Sequence, residues 1–505
     1  MTTTSMLQDL MSAGRDDATA LAFSGAKPLT YAAFRAQIDT TIHSLNALGV
    51  GRGDRVAIVL PNGPDMATAF VSVASAAAAA PLNPGYRHDE FDFYMSDINT
   101  KALIVEEGSK SPAITVAQER GIAIITLKPE WDKGCGSFSL SGKPASGTIR
   151  EGRTTTDDVS IILHTSGTTS RPKIVPLTQL NVVSSANNIA NVLELTAADR
   201  ALNVLPLFHI HGLIAGMLAP LSRGGFIFCT PGFNALKFFH AMEEAAPTWY
   251  SAVPTMHQAI VSRASHNREI IARHPLRFIR SSSSSLPPQV IVELEAAFGA
   301  PVVEAYGMTE AAHQMASNPV SGVRKPGAVG KAAGPEIAIM SEDGQLLPIG
   351  EAGEIVIRGD NVTPGYENNP KANEEAFSNG WFHTGDLGSL DEDGYLRITG
   401  RLKEIINRGG EKVSPREVDE ILMDHPAVLQ AVTFAMPHDK LGEEVAAAVV
   451  LREGNTCSER ELRDFADGRL AHFKVPRKII MLAEIPKGAT GKLQRIGLAQ
   501  KLGLV

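Results

Sequence analysis

"LRFIRSSSSSLPPQVIVELEAAFGAPVVEAYGMTE", Leu276 to Glu310, sets an apolar run, a five-serine loop, a helical pattern and a second apolar run end to end. "LRFIRS" and "APVVEAYG" are short, rich in branched and aromatic side chains and bounded by turn residues, which reads as strand. "QVIVELEAAFG" between them has the length and period of a helix that stops at Gly299. Strand, helix, strand in succession needs a crossover, hence a parallel sheet with helices packed on it. The same texture recurs at "DRVAIVL", "KALIVEE" and "IAIITL". The expected class is α/β.

From about Gly327 the texture changes to short strands broken by Asp-Gly turns, "EIAIMSEDGQLL" and "GEIVIRGD", which predicts antiparallel hairpins or a small β-barrel. After "ITGRLK" helix and strand alternate again over roughly 100 residues, long enough for a small α+β domain. The expected division is residues 1–400 and 401–505, with the boundary near Arg401 and Lys403. Two apolar stretches need a reading against membrane spans. Met66 to Ala80 is mostly alanine and stops at Pro81, so a buried helix is expected. Leu202 to Leu221 carries Pro206, His209, His211 and Pro220, and reads as a core segment with a polar interruption.

Composition narrows the partners. At 505 residues, 44% apolar and 20% charged, the chain is globular and too long for one core. A net charge of −8 excludes a nucleic-acid surface working by bulk attraction. Three scattered cysteines, Cys135, Cys229 and Cys457, build neither a disulfide framework nor a local metal site. The N-terminus lacks the pattern of a secretory signal and "KLGLV" is no peroxisomal tripeptide, so the expected protein is cytoplasmic, off the membrane, and a monomer or weak homo-oligomer.

Several loops carry chemistry-bearing residues. "HTSGTTSRPKIV", His164 to Val175, follows a strand and combines a glycine, five hydroxyls and Lys173, which suits either a polyphosphate or an exposed polar turn. The serine run suits a flat ligand lying on backbone, or an N-cap with Pro287 and Pro288 opening a helix. "EAYGMTE" offers Tyr306 for stacking, Thr309 for a phosphate and Glu310 for a divalent cation, although a tyrosine at a strand end is more often core. "WFHTGDLG" places Asp386 in a glycine-flanked turn, able to accept two ribose hydroxyls or to cap the turn. "GRLKEIINRGGEKVSP" holds Gly409 and Gly410, for ligand approach or a hairpin, and "PKGATGKLQR" presents Lys492.

Taken in order, these motifs resemble the signature series of the adenylate-forming superfamily of acyl-CoA synthetases, luciferases and adenylation domains. The resemblance runs from "LTYAAFRAQ" to Lys492, nearly the whole chain. It implies a large domain of helix-flanked sheets with a small β-barrel, and a mobile C-terminal domain. It implies ATP, Mg²⁺ and coenzyme A, an acyl-adenylate intermediate, and a thioester product. Carried over by position, Thr165, Ser166, Gly167, Thr168, Thr169 and Lys173 would hold the phosphates. Ser283, Ser284 and Ser285 with Glu304, Ala305, Tyr306 and Gly307 would enclose adenine. Thr309 would touch the α-phosphate, Glu310 with Thr168 would hold Mg²⁺, and Asp386 and Arg401 would bind ribose. Lys492 would stabilise the first transition state. After rotation about Lys403, Gly409, Gly410 and Lys412 would line pantetheine, with Lys474 near CoA. Two departures stand out: Ser170 and Ile174 occupy usual glycine positions, and a β-branched residue resists positive φ, which questions how the loop closes.

Within the superfamily, "HTSGTTSRPK", "PLFHIHGL", "TWYSAVPTMHQ" and "RFIRSSSSSL" are similar to the oxalyl-CoA synthetases of plants and fungi. On that resemblance His209, His211, Ser281 and His313 form the acid site, with His209 also catalytic. Several histidines near one site suit a small dianion better than an alkyl chain. The alternatives are a medium-chain or aromatic acid CoA ligase, and an adenylation module loading a carrier protein in trans.

Overall fold

A computed structural model describes residues 6–165, 172–486 and 493–504. Ser166 to Arg171, with four of the expected phosphate contacts, and Lys492 lie outside the described residues.

The described residues form four sheets. In the largest, Thr19–Ala22, Phe226–Cys229, Arg200–Asn203, Trp249–Ala252, Phe278–Ser281 and Val302–Met308 lie side by side, all parallel. His313–Ser317 adds an antiparallel edge beside Val302–Met308. The second sheet has a parallel centre, Ala123–Pro129, Ala102–Glu106, Arg55–Val59, Ala78–Pro81 and Val159–His164, between antiparallel edge strands. Strands covered on both faces need apolar residues throughout, which is why these segments read as continuous apolar runs instead of alternating ones. The helix Pro288–Phe298 follows the serine loop and ends on Gly299 at φ +63°, a left-handed stop that glycine adopts without cost.

The later half is antiparallel. Trp381–Leu390 pairs with Ala352–Arg358, Phe377–Ser378 and Leu396–Arg401, and Glu336–Met340 pairs with Ala352–Arg358. After Arg401 a single tight turn, Leu402–Glu404, leads into the fourth sheet, built from Ile406–Arg408, Glu411–Val413, Val428–His438, Gly442–Leu451 and Lys478–Met481. No helix among the described residues is long and apolar enough to cross a membrane.

Three local expectations change. The alanine stretch is not one helix: Pro64–Ala74 is helical, but Ala78–Pro81 is a strand paired with Arg55–Ile58. Alanine carries no periodicity, so the neighbouring strands decided its state. Asp386 is not in a turn but inside the strand Trp381–Leu390, where Gly385 at φ +73° makes a bulge. The serines do not cap the next helix, whose N-cap is Pro287 and has no side-chain cap.

Candidate active site

The parallel strands of the largest sheet end together, and their last residues converge with two histidine-bearing segments. Arg280, in Phe278–Ser281, is wholly buried. Its Nη1 donates to His211 Nε2 at 3.0 Å and Ser251 Oγ at 3.3 Å; its Nη2 donates to His313 Nε2 at 3.2 Å and Gln314 Oε1 at 3.0 Å. Arg280 Nε, Gln314 Nε2 and Ser281 Oγ are buried without a hydrogen-bond partner among the described residues. Burial draws the guanidinium down to about 9, which still leaves it cationic at neutral pH. The two imidazoles stack with centroids 4.7 Å apart.

Each histidine is placed by unusual backbone. His211 opens a π-helical stretch, His211–Leu218, whose wider turn is a common device at functional sites. His209 Nδ1 accepts the His211 N–H at 3.2 Å and so caps that turn. His313 sits at φ +91°, held where the strand Val302–Met308 folds back: a Cβ on Gly307 would lie 1.6 Å from the His313 carbonyl oxygen. Ser283 has φ +75° and its Oγ lies 3.1 Å from His211 Nδ1. Ser282 Oγ donates to the Ala305 carbonyl. The serine loop is thus tied to the π-helical stretch and to the strand Val302–Met308.

A second group gathers around Glu310. Its carboxylate is buried and accepts from Tyr366 Oη at 2.8 Å, and burial pushes its pKa up. Lys173 Nζ stands 4.2 Å over the Tyr366 ring. Burial and then the neighbouring Lys403 pull the Lys173 amine down, against the pull of Glu310. Thr309 starts the single turn that carries Glu310. Val159–His164 and Ile174–Thr178 pair antiparallel, and beyond their ends Thr165 N–H donates to the Lys173 carbonyl at 3.0 Å and Lys173 N–H to Thr165 Oγ1 at 3.2 Å. Ile174 pairs with His164 and is buried against Ala78, Ala80, Ile98 and Ile162, without positive φ. Its β-branch is therefore compatible with this hairpin.

Asp386 completes a third group. Tyr306 Oη donates to Asp386 Oδ2, and Arg401 binds the same carboxylate with Nε at 2.6 Å and Nη2 at 3.2 Å. The paired carboxylate raises the Arg401 pKa, and burial raises that of Tyr306. Glu304, two residues before Tyr306, is pushed up to about 7 by burial.

From the C-terminal segment, Leu493 and Arg495 share a cavity with Ser284, Ser285, Val253 and Thr255, which brings the residue after Lys492 to the serine loop. The remaining expected residues sit elsewhere. Gly409 and Gly410, at φ +60° and +98°, form the two-residue turn of the hairpin Ile406–Val413, exposed along with Lys412. Lys474 is paired with Glu417 at 2.7 Å. The sequence reading passed over Arg280, Ser251, Gln314 and Tyr366. For Arg280 a signal existed: a cation inside a short apolar run of a parallel sheet has no solvent to reach and must have partners.

The described geometry agrees with wider comparisons. Residues 11–367 match the family model described as AMP-binding enzyme, and residues 417–492 match the AMP-binding enzyme C-terminal domain. The chain is 48% identical over 95% of its length, and 92% of the relative, to a probable CoA ligase, CCL9, from Humulus lupulus. It is 46% identical over 96% of its length, and 95% of the relative, to an oxalate–CoA ligase of Arabidopsis thaliana. ATP-bound MatB from Rhodopseudomonas palustris superimposes with a TM-score of 0.86, at 31% identity and 97% coverage of both chains. With one family model covering 11–367, more than half of the chain, and its C-terminal companion following in order, the chain belongs to the AMP-binding enzyme family of adenylate-forming enzymes.

Proposed function

We propose that the protein is an AMP-forming acid–CoA ligase whose acid is oxalate: ATP and oxalate give oxalyl-adenylate and pyrophosphate, and CoA then takes the oxalyl group with release of AMP. One observation carries the choice of acid. Arg280, His211 and His313 gather a cation and two imidazoles in a buried cluster, where Arg280 Nε, Gln314 Nε2 and Ser281 Oγ find no hydrogen-bond partner among the described residues. An alkyl or aryl chain would leave those donors unpaired, whereas the second carboxylate of a small dianion accepts from them. The name of the Arabidopsis thaliana relative points to the same acid.

The chemistry asks that one carboxylate reach an already anionic α-phosphate. Arg280 and the histidines would hold the far carboxylate and so aim the near one, with positioning supplying part of the rate. Tyr306, the backbone of Ser283 to Ser285 and the strand Glu304 to Gly307 would enclose adenine; Asp386, fixed by Arg401, would take the ribose hydroxyls. Thr165, Lys173 and the loop Ser166 to Thr169 would hold the phosphates, and Thr309 and Lys492 would meet the α-phosphate where charge develops. Glu310 offers a hard oxygen donor, buried and beside Lys173, which fits Mg²⁺ held by one carboxylate, Thr168 and substrate phosphates. When bound, Mg²⁺ neutralises phosphate charge.

For the second step the chain from residue 401 would turn about Lys403, replacing Lys492 by Gly409, Gly410 and Lys412, with Lys474 toward CoA. The free buried Cys135 and Cys229 suit a reducing compartment, so the proposed location is the cytoplasm, as a monomer or weak homo-oligomer. ATP–pyrophosphate exchange with oxalate, malonate, octanoate and coumarate tests the reading. Strong exchange with octanoate and none with oxalate would overturn it.

A further inference from the structure

We infer that Glu354 is a positioning residue for the nucleotide: it holds the backbone bulge that aims Asp386, and His383 in turn holds Glu354. The inference rests on the reading of Asp386 as the ribose-binding carboxylate.

The bulge is large. Glu354 pairs with Leu387 and Val356 with His383, so two steps on one strand oppose four on the other. The surplus residues include Thr384 and Gly385, whose backbone groups have lost the regular ladder and need other partners. The Gly385 N–H donates to Glu354 Oε1 at 2.9 Å, and Thr384 Oγ1 donates to the Ile355 carbonyl at 2.7 Å and accepts the Asp386 N–H at 3.1 Å. Gly385 is at φ +73°. Glu354 therefore fixes the Thr384–Gly385 peptide, one step before the Gly385–Asp386 peptide whose N–H Thr384 Oγ1 accepts, at the residue of the bulge with the most backbone freedom.

Glu354 is itself held. Its Oε2 lies 2.7 Å from His383 Nδ1, and His383 Nε2 lies 2.8 Å from Ser378 Oγ. With the Nδ1 proton facing the carboxylate, Nε2 accepts from the serine hydroxyl. Hydroxyl, imidazole and carboxylate in line is also the order of an acyl-transfer triad. Here, however, the carboxylate's other oxygen ends on the Gly385 N–H, so the line terminates at the bulge beside Asp386. Tyr306 and Arg401 grip the Asp386 side chain, and Arg401 is also its strand partner, whereas the Glu354 contact falls one residue earlier, on Gly385 inside the bulge. Loss of Glu354 frees the bulge that leads into Asp386 while leaving the side-chain grip in place.

The test compares ATP with 2′-deoxy-ATP in ATP–pyrophosphate exchange. Glu354→Ala is expected to raise KM for ATP about 10-fold, by loss of a charge-assisted hydrogen bond, with kcat and KM for the acid nearly unmoved. It should also shrink the preference for ATP over 2′-deoxy-ATP. Glu354→Gln keeps an oxygen for Gly385 and should recover most of both. His383→Ala should give a smaller change in the same direction, and carries the test if Glu354→Ala does not fold. Equal losses with ATP and 2′-deoxy-ATP, or an unchanged KM for ATP alongside a lowered Tm, would overturn the inference. Asp386→Asn is run beside them: if it keeps the ribose preference, the reading of Asp386 fails. If it loses the preference while Glu354→Ala keeps it, only the role of Glu354 fails.

Discussion

Arg280 Nη1 lies 3.0 Å from His211 Nε2, with both residues sealed from solvent. A guanidinium only donates, so the imidazole nitrogen facing it accepts, and the proton of His211 resides on Nδ1, toward Ser283 Oγ at 3.1 Å. One cation thereby sets the direction of the hydrogen bond between His211 and the serine loop. Arg280→Ala should lower kcat/KM for oxalate about 100-fold, as expected for loss of a buried charged contact, and should remove the preference for dianions over octanoate in the exchange assay. Loss of activity toward every acid in equal proportion would instead indicate a role in the fold alone.

Leu493, which follows Lys492 in sequence, lines the same cavity as Ser284 and Ser285 of the serine loop. Lys492→Ala should cut adenylate formation by at least about 100-fold, the usual magnitude for one preorganised donor to developing charge. Thioester formation from supplied oxalyl-adenylate should persist. Wild-type exchange in that variant would refute the assignment.

Ile174 is 4% exposed, in a strand, and its carbonyl accepts the Glu367 N–H at 3.0 Å. Ile174→Gly should therefore act on the core. We expect a loss of stability of roughly 3–5 kcal/mol, from a truncated core side chain with added backbone freedom. KM for ATP should move little. Denaturant unfolding and ATP titration separate the two, and a large change in KM at constant stability would restore a direct role in loop closure.

Glu304, raised to about 7 by burial, makes stability depend on pH in a definite direction. Between about pH 4.5 and 7 the unfolded chain has ionised this carboxyl while the folded chain keeps its proton, so stability falls as pH rises through that window. Glu304→Gln removes the slope. The variant should match the wild type near pH 4.5 and exceed it above pH 7, by up to about 3 kcal/mol. Urea unfolding from pH 4.5 to 8 checks this; parallel curves would refute the buried protonated state.

Much of the site was visible along the chain because its chemistry lies in short local signals. Tyr306, Thr309 and Glu310 fall within five residues at the end of a strand, and Lys173 follows a run of glycine and hydroxyl residues; side-chain type and neighbours suffice to propose a task for each. The α/β class was equally legible, since a strand, helix and strand in sequence leave few ways to cover both faces of a sheet. Tertiary contact decided the rest. Arg280 looks like an ordinary strand charge until Phe278–Ser281 is known to be central, with His211 and His313 arriving from positions 69 residues before and 33 after. Asp386 beside glycine reads as a turn, yet strands on both sides pair its neighbours and force a bulge. Ala78 to Pro81 became a strand because its neighbours offered unpaired backbone, which alanine meets as readily in a sheet as in a helix. Local chemistry names a residue's capacity; burial and convergence, which depend on distant segments, determine whether that capacity has a partner.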